Sequence, residues 1–265
     1  MIARTEGGRS IYYDVLGAGP DLMFVHGAMS DADSFADLVA TLSDQFRCIT
    51  LDRPGYNRSG QLACATTIEE QADAVESVRR ACGAAAPWIF GHSSGGNFAL
   101  GHTCSFPGTA KGLILMEPAL YAMYPEGSRP AAVGAMEQRV VPLCESGQLE
   151  DGLILFAELL EAPLPEDRIA ALRDQGVPEN FRPFGFDQPA VLGWRPSDAK
   201  FRGLEQPVLL LEGDQTTSLL RDICRLLLPH LPNGELRTLE GCNHFAPQMN
   251  PALVAEEILG FAKGD

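Results

Sequence analysis

Residues 87–96 read Pro-Trp-Ile-Phe-Gly-His-Ser-Ser-Gly-Gly, an apolar run that leads directly into a turn of small residues. The run is short and apolar, as in a buried strand, and the residues after the turn continue as a helix. Ser93 has a glycine two positions before it and another two positions after it, which fits the pattern Gly-x-Ser-x-Gly. Small residues there let the backbone turn sharply, so that the serine hydroxyl is exposed. We interpret Ser93 as a nucleophile and prefer it to Ser94, because the residue two positions before Ser94 is a histidine.

Short apolar runs alternate with longer amphipathic segments along most of the chain. The predicted strands cover residues 21–25, 46–51, 87–90, 112–116, 207–211 and 235–239. The predicted helices cover residues 33–42, 67–82, 95–105, 218–228 and 251–261. This alternation is typical of the α/β class, with a mostly parallel, doubly wound sheet. In such sheets the functional site forms from loops at the carboxyl ends of the strands.

The pattern changes between residues 119 and 200, where helical runs are broken by prolines and glycines and no clear strand is found. We interpret residues 119–200 as a helical cap, inserted into a core that consists of residues 1–118 and 201–265. Within the cap, residues 181–194 are aromatic and are predicted to form a loop. The cap is expected to cover the site and to select the substrate.

His244 follows the last predicted strand, within the segment Gly-Cys-Asn-His-Phe-Ala-Pro at residues 241–247. An imidazole titrates near neutral pH and can accept the proton of a serine hydroxyl. The other four histidines lie in predicted turns (His26 and His92) or on predicted helices (His102 and His230). We therefore predict that His244 is a general base.

A second turn, His26-Gly27-Ala28, follows the apolar strand at residues 21–25. The backbone N–H of Ala28 and that of Ser94 would both face the hydroxyl of Ser93. Two such donors can stabilise the oxyanion of a tetrahedral intermediate, so we predict that Ala28 and Ser94 form an oxyanion hole.

These segments make the chain resemble the α/β-hydrolase superfamily along nearly its whole length. The resemblance rests on Phe-Val-His-Gly at 24–27, Asp-Arg-Pro-Gly-Tyr-Asn-Arg-Ser at 52–59, the Ser93 turn, and residues 241–251 around His244. It implies an α/β-hydrolase fold with a Ser-acid-His triad, and it is much less specific for a substrate.

The acid of the triad departs from the common pattern of the superfamily. The resemblance implies an Asp in a Gly-x-x-Asp segment after the strand that ends at Leu211, but this chain has Thr216 at that position. Asp214 lies two residues too early. Glu117, in contrast, ends the strand that follows the Ser93 helix. The chain resembles here the minority branch with a Ser-Glu-His triad, namely the zearalenone-lactonase-like and related actinobacterial hydrolases.

A physical argument also favours Glu117. A carboxylate at the end of a buried strand is costly unless it is paired. Its natural partner is the Nδ1–H of His244, which it would orient. Asp214 remains the alternative acid.

The resemblance implies a serine hydrolase that cleaves a carboxylic ester or lactone through an acyl-enzyme. The apolar cap indicates a small hydrophobic substrate, and the candidate substrate contacts are Met29, His92, Phe156 and Trp194. The alternatives are a carbon–carbon bond hydrolase, a lyase or cofactor-free oxygenase, and a non-catalytic ligand receptor on the same scaffold. No cofactor or metal is expected, because neither a ligand cluster nor a dinucleotide fingerprint is found.

The composition makes some partners improbable. The formal net charge is -15, from 20 Lys and Arg against 35 Asp and Glu, and this charge repels phosphate backbones and anionic lipid surfaces. No apolar stretch approaches the roughly 18 residues that span a bilayer. We therefore expect neither a nucleic-acid partner nor a membrane partner.

The first residues lack the features of a signal peptide. The seven cysteines include no Cys-x-x-Cys pair, which argues against a zinc knuckle or a disulfide framework. These features predict a cytoplasmic protein. The sequence leaves the oligomeric state open between a monomer and a homodimer.

Overall fold

The computed structural model describes residues 1–161, 163–178 and 182–264. Within them, eight strands form one sheet in the order β1-β2-β4-β3-β5-β6-β7-β8. The strands are β1 (Ile2–Arg4), β2 (Ser10–Leu16), β3 (Asp21–Val25), β4 (Arg47–Leu51), β5 (Trp88–His92), β6 (Gly112–Met116), β7 (Val208–Gly213) and β8 (Gly234–Leu239). Strand β2 pairs antiparallel with β1 and β4, and the strands from β4 to β8 are parallel. The predicted fold class is confirmed.

Helices cover both faces of the sheet. The α-helices are α1 (Ala36–Leu42), α2 (Ile68–Ala81), α3 (Ser94–Ser105), α4 (Ala131–Ala135), α5 (Val141–Glu145), α6 (Leu149–Leu159), α7 (Glu166–Gln175), α8 (Phe184–Gly193), α9 (Asp198–Arg202), α10 (Ser218–Leu227), α11 (Ala246–Met249) and α12 (Pro251–Lys263). A π-helical turn covers Met136–Val140, and short 3₁₀ turns cover Ala32–Phe35, Tyr121–Met123, Glu126–Ser128 and Leu228–His230. Among the described residues, no helix is both long enough and apolar enough to cross a membrane.

The central strands are buried on both faces, which explains their nearly continuous apolar sequences. Successive side chains of a strand point to opposite faces. In β3, Leu22 and Phe24 join a core cluster with α1 and α12, whereas Met23 and Val25 join a second cluster with α2, α3 and α10. The sheet therefore separates two hydrophobic cores, and the ends of its parallel strands meet at one edge.

The described residues between β6 and β7 contain helices α4 to α9 and no strand. Their apolar side chains, including Phe156 and Phe184, join the core on the α2 and α3 side of the sheet. These helices follow the carboxyl end of β6, which brings them to the edge where the predicted site lies.

The loop predicted at residues 181–194 is wrong, because Phe184–Gly193 forms helix α8. Its buried residues, listed in order, are Phe184, Gly185, Asp187, Gln188, Val191 and Leu192. Most of them recur at intervals of three and four, which is the period of a helix buried on one face. Pro189 inside the helix conceals this period in the sequence. Phe181 lies outside the described residues.

Helix α2, predicted at residues 67–82, begins at Ile68 with Thr67 as its N-cap. The side chain of Thr67 accepts a hydrogen bond from the backbone of Glu70, and the Glu70 side chain accepts one from the backbone of Thr67. This capping box satisfies two N–H groups that the first helical turn leaves unpaired.

Glu76 of the same helix is buried and holds α2 to α3. It accepts hydrogen bonds from Arg79 at 2.7 Å, from Arg80 at 2.6 Å and from His102 of α3 at 3.0 Å. Burial alone raises the pKa of Glu76, but the hydrogen bonds from two arginines and His102 outweigh it and lower the pKa to about 2. A carboxylate whose pKa is lowered in the folded state stabilises that state above its ordinary pKa.

Replacing Glu76 with Gln is therefore expected to lower the free energy of unfolding by about 3 kcal/mol at pH 7. The difference from wild type should shrink as the pH falls from 4.5 towards 2, because the carboxylate is protonated over that range. Urea denaturation at pH 7 and at about pH 3.5 measures both values. Glu205→Gln, on the surface, should change stability by less than about 0.5 kcal/mol at either pH. An equal loss at both pH values would contradict the ionic origin of the effect.

Candidate active site

Ser93 lies at the sharp turn between β5 and α3. Its backbone has φ 54° and ψ -128°, a conformation that residues with a side chain rarely adopt. A Cβ atom at Gly95 would lie 2.1 Å from the carbonyl oxygen of Val25, and a Cβ atom at Gly91 would lie 2.7 Å from Gly96. The two glycines of the motif are therefore required by the close approach of neighbouring backbone.

The turn after β3 lies directly against Ser93. A Cβ atom at Gly27 would be 3.0 Å from Cβ of Ser93 and 3.6 Å from its Oγ. Met29 has a positive φ of 56°, so the chain bends away immediately after Ala28. Among the described residues, the N–H of Ala28 donates to no protein acceptor. Ser94 begins helix α3, where the first N–H groups have no partner within the helix.

Glu117 follows β6 and is completely buried. Its Oε2 lies 2.7 Å from Nδ1 of His244 and accepts a hydrogen bond from Oγ1 of Thr216 at 2.7 Å. Its Oε1 accepts from the backbone N–H of Gly213 at 2.8 Å. Thr216, at the position where the resemblance implies the acid, thus contacts the carboxylate of Glu117. Asp214 is exposed.

The protonation of this pair follows from its surroundings. Burial raises the pKa of Glu117, but hydrogen bonds from His244, Gly213 and Thr216 outweigh that effect and keep the pKa below its ordinary value. Ionised Glu117 can only accept hydrogen bonds, so Nδ1 of His244 carries the proton. In the neutral form of the ring, Nε2 is the nitrogen that can accept a proton.

His92 is buried beside His244, with the two ring centroids 4.7 Å apart. Its Nε2 lies 2.8 Å from the backbone carbonyl of His244. Burial, together with a smaller effect of the neighbouring His244, lowers the pKa of His92 to about 3, so the ring is neutral. Because a carbonyl only accepts, Nε2 of His92 is the donor, and it fixes the backbone that carries His244.

A cavity of about 700 Å³ opens onto Ser93 and His244. Of the predicted substrate contacts, Met29, His92 and Phe156 line it, and so does Ala28, a predicted oxyanion donor. Its wall also includes apolar residues that sequence analysis missed, namely Tyr121, Leu160, Leu164, Leu172 and Leu220. Four of these five belong to helices or turns whose amphipathic pattern does not reveal which face meets a cavity.

The predicted contact at Trp194 is wrong. Its indole lies against Gly101 of α3, where an added Cβ would be 3.8 Å from the ring, and it is not among the residues that line the cavity. The prediction assumed a loop, whereas Trp194 ends helix α8 and packs against the core.

Two kinds of comparison relate this chain to known proteins. Over 258 residues it is 24% identical to 2-(acetamidomethylene)succinate hydrolase of Mesorhizobium japonicum. This match covers 92% of this chain and 88% of that enzyme. An esterase from a Rhodococcus species superposes with a TM-score of 0.73 at 22% identity, covering 98% of this chain and 97% of the esterase. A solved N-acyl homoserine lactone degrading enzyme superposes with a TM-score of 0.77 at 22% identity, covering 98% of this chain and 100% of that one.

At these identities the superpositions establish the fold alone. The family is established by a sequence model of the alpha/beta hydrolase family, which matches residues 22–257. Since this match spans most of the 265 residues, the chain belongs to the alpha/beta hydrolase family.

Proposed function

We propose that this protein is a serine hydrolase that cleaves a carboxylic ester or lactone of a small hydrophobic molecule. The observation that carries the proposal is the hydrogen bond of 2.7 Å between Nδ1 of His244 and Oε2 of Glu117, with His244 on the wall of a cavity that also exposes Ser93. Family membership and the esterase and lactone-degrading structural neighbours support hydrolysis as the type of reaction.

In the first half of the reaction, Nε2 of His244 takes the proton of Ser93 while Oγ attacks the carbonyl carbon. The N–H groups of Ala28 and Ser94 stabilise the oxyanion of the tetrahedral intermediate, each contributing about 3 kcal/mol to the transition state. Glu117 stabilises the imidazolium that forms, and His244 then protonates the leaving alkoxide.

In the second half, a water molecule takes the place of the alcohol. His244 removes a proton from this water, which attacks the carbonyl carbon of the acyl-enzyme. Collapse of the second tetrahedral intermediate releases the acid and returns the proton to Ser93. Apart from the substrate and water, the cycle uses only groups of the protein, so the mechanism requires no metal and no organic cofactor.

The cavity supports the substrate class. Pockets of about 300 to 1,000 Å³ are typical for small molecules, and the wall here is predominantly apolar. Met29, Phe156 and Leu172 supply apolar surface for an acyl chain or a lactone ring. Ser93, His92 and His244 supply polar groups where the carbonyl would bind, and the other polar side chains of the wall are Ser30, Ser34, Arg168, Gln175 and Gln248.

The proposal is tested by incubating the wild-type protein with a fluorophosphonate probe and with a panel of p-nitrophenyl esters, aryl esters and macrocyclic lactones. We expect covalent labelling of the peptide that contains Ser93, and turnover of at least one ester or lactone. Ser34→Ala should still be labelled, because Ser34 lines the same cavity but its hydroxyl donates a hydrogen bond to the backbone carbonyl oxygen of Asp31 at 2.6 Å. Turnover of a β-diketone without any ester would instead indicate a carbon–carbon bond hydrolase. Absence of both labelling and turnover would exclude a serine hydrolase.

A further inference from the structure

Arg53 follows β4 and lies completely buried beneath the candidate active site. Its Nε donates to the carbonyl oxygen of His26 at 2.8 Å, and its Nη2 donates to the carbonyl oxygen of Gly27 at 3.0 Å. Its guanidinium also lies 4.4 Å from the ring centroid of Tyr56 and 4.6 Å from that of Phe98. The guanidinium is therefore held by two aromatic rings as well as by hydrogen bonds at its edge.

The side chain of His26 makes a second hydrogen bond to the carbonyl oxygen of Gly27. The backbone N–H of Arg53 donates to Nε2 of His26 at 3.0 Å. An N–H group can only donate, so Nε2 accepts, and the proton of the neutral ring is on Nδ1. Burial lowers the pKa of His26 and the charge of Arg53 lowers it further, which keeps the ring neutral. Nδ1 therefore donates to the carbonyl oxygen of Gly27, at 2.8 Å.

The carbonyl of Gly27 and the N–H of Ala28 belong to one peptide group. In a trans peptide the two point in opposite directions within one plane. Two donors on the oxygen of Gly27 therefore fix the direction of the N–H of Ala28. A cationic donor on the carbonyl also polarises the peptide, which strengthens its N–H as a hydrogen-bond donor.

Asp187 of helix α8 holds the other end of the guanidinium. Its Oδ2 accepts from Nη1 of Arg53 at 2.8 Å and from the hydroxyl of Tyr56 at 2.6 Å, and the Asp187 side chain is fully buried. Gln71 of α2 lies 3.4 Å from its Oδ1. Asp187 lies in the segment between β6 and β7. The side chain of Arg53 thus connects this segment to the turn after β3.

We propose that Arg53 is a positioning residue that orients the N–H of Ala28 towards the oxyanion, and that Asp187 holds Arg53 in place. This inference rests on the proposed function, since it assigns a role within the same reaction. Arg53 does not touch the substrate in this scheme. Its effect is expected on the transition state, where the oxyanion forms, rather than on the ground state.

The test compares Arg53→Lys with Arg79→Lys. A lysine keeps the charge but cannot bind both carbonyl oxygens and the carboxylate at once. Arg79 is a matched control: its Nε and Nη2 bind the buried Glu76, and its Nη1 binds the carbonyl oxygens of Ala84 and Ala85. Both substitutions should lower Tm, which is measured for each protein.

For Arg53→Lys we expect kcat to fall roughly 10- to 100-fold on an ester that the wild type hydrolyses, with KM within about threefold of wild type. The inhibition constant of a trifluoromethyl ketone, whose tetrahedral adduct carries an oxyanion, should rise by a similar factor. Asp187→Asn preserves the shape of the side chain and should lower kcat by a smaller factor, roughly threefold to tenfold. Arg79→Lys should keep kcat and the inhibition constant within about twofold of wild type.

An Arg53→Lys protein with wild-type kcat and wild-type affinity for the ketone would overturn the proposal. If Arg53→Lys does not fold, Asp187→Asn decides in the same way, and unchanged kcat in that variant overturns the proposal. If the wild type neither hydrolyses an ester nor binds the ketone, the proposed function fails and the role of Arg53 falls with it. The activity of the wild type therefore separates the two failures.

Discussion

Replacing Ser93 with alanine is expected to lower kcat for an ester substrate by a factor of about 10⁵ to 10⁶. Alanine has no hydroxyl, so no acyl-enzyme can form. The base at His244 and the N–H donors at Ala28 and Ser94 remain, and they should sustain a slow direct attack by water. KM should change little, because the cavity wall is otherwise intact. Steady-state kinetics, with loss of fluorophosphonate labelling as a second readout, measures the effect.

The same position also allows the strain of the turn to be measured. Ser93 has φ 54° and ψ -128°, which glycine adopts without steric cost. Ser93→Ala keeps the Cβ atom and therefore the strain, whereas Ser93→Gly removes both. We expect Ser93→Gly to be more stable than Ser93→Ala by about 1 kcal/mol in urea denaturation, although both are inactive.

An alanine variant that retains more than about a tenth of the wild-type kcat would show that another residue is the nucleophile.

The sequence predicts well those parts of the structure that depend on residues close to one another in the chain. The strand, turn and helix around Ser93 lie within the 18 consecutive residues 88–105, and the His26–Gly27 turn follows an apolar run directly, so neither needs a distant contact to be recognised. The fold that these segments predict is confirmed. The roles of Ser93, Glu117 and His244 stay predictions that the geometry favours.

What sequence analysis missed depends on contacts between distant segments. Arg53 and Asp187 are 134 positions apart, and no local pattern pairs them. Asp187 itself was hidden in a segment predicted as a loop, because Pro189 interrupts the helical signal. Trp194 was misplaced for the same reason. The position of a side chain at the end of a helix depends on how that helix packs, which propensity does not determine.

Glu117→Gln is expected to lower kcat by about 10³- to 10⁴-fold, although it changes a single atom. The backbone N–H of Gly213 donates to Oε1, so the oxygen of the new amide must occupy that position. Its NH₂ group then takes the place of Oε2 and faces Nδ1 of His244. Nδ1 must accept from it, and the ring proton moves to Nε2. In that tautomer His244 cannot take a proton from Ser93.

Asp214→Asn is the matched control for this substitution. It makes the same change from carboxylate to amide at an exposed residue close to Glu117 in space, and it should keep kcat within about threefold of wild type. Steady-state kinetics on both variants, with Tm as a check on folding, decides between the two candidate acids. A large loss in Asp214→Asn with little loss in Glu117→Gln would reverse the assignment.

A substitution at Thr216 can rescue the activity that Glu117→Gln loses, and this rescue tests directly where the acid must lie relative to His244. Its Oγ1 lies 2.7 Å from Oε2 of Glu117, so a carboxylate at position 216 would reach almost the same place. In the single variant Thr216→Asp, two carboxylates would lie about 3 Å apart and could not both be ionised, so stability and activity should both fall. In the double variant Glu117→Gln/Thr216→Asp only one carboxylate is present, and it can accept from Nδ1 of His244. We expect this double variant to recover roughly 10- to 100-fold of the kcat that Glu117→Gln loses. Recovery would show that His244 needs a carboxylate at Nδ1, whichever strand supplies it. No recovery in a folded double variant would mean that Glu117 acts through more than the charge it presents to His244.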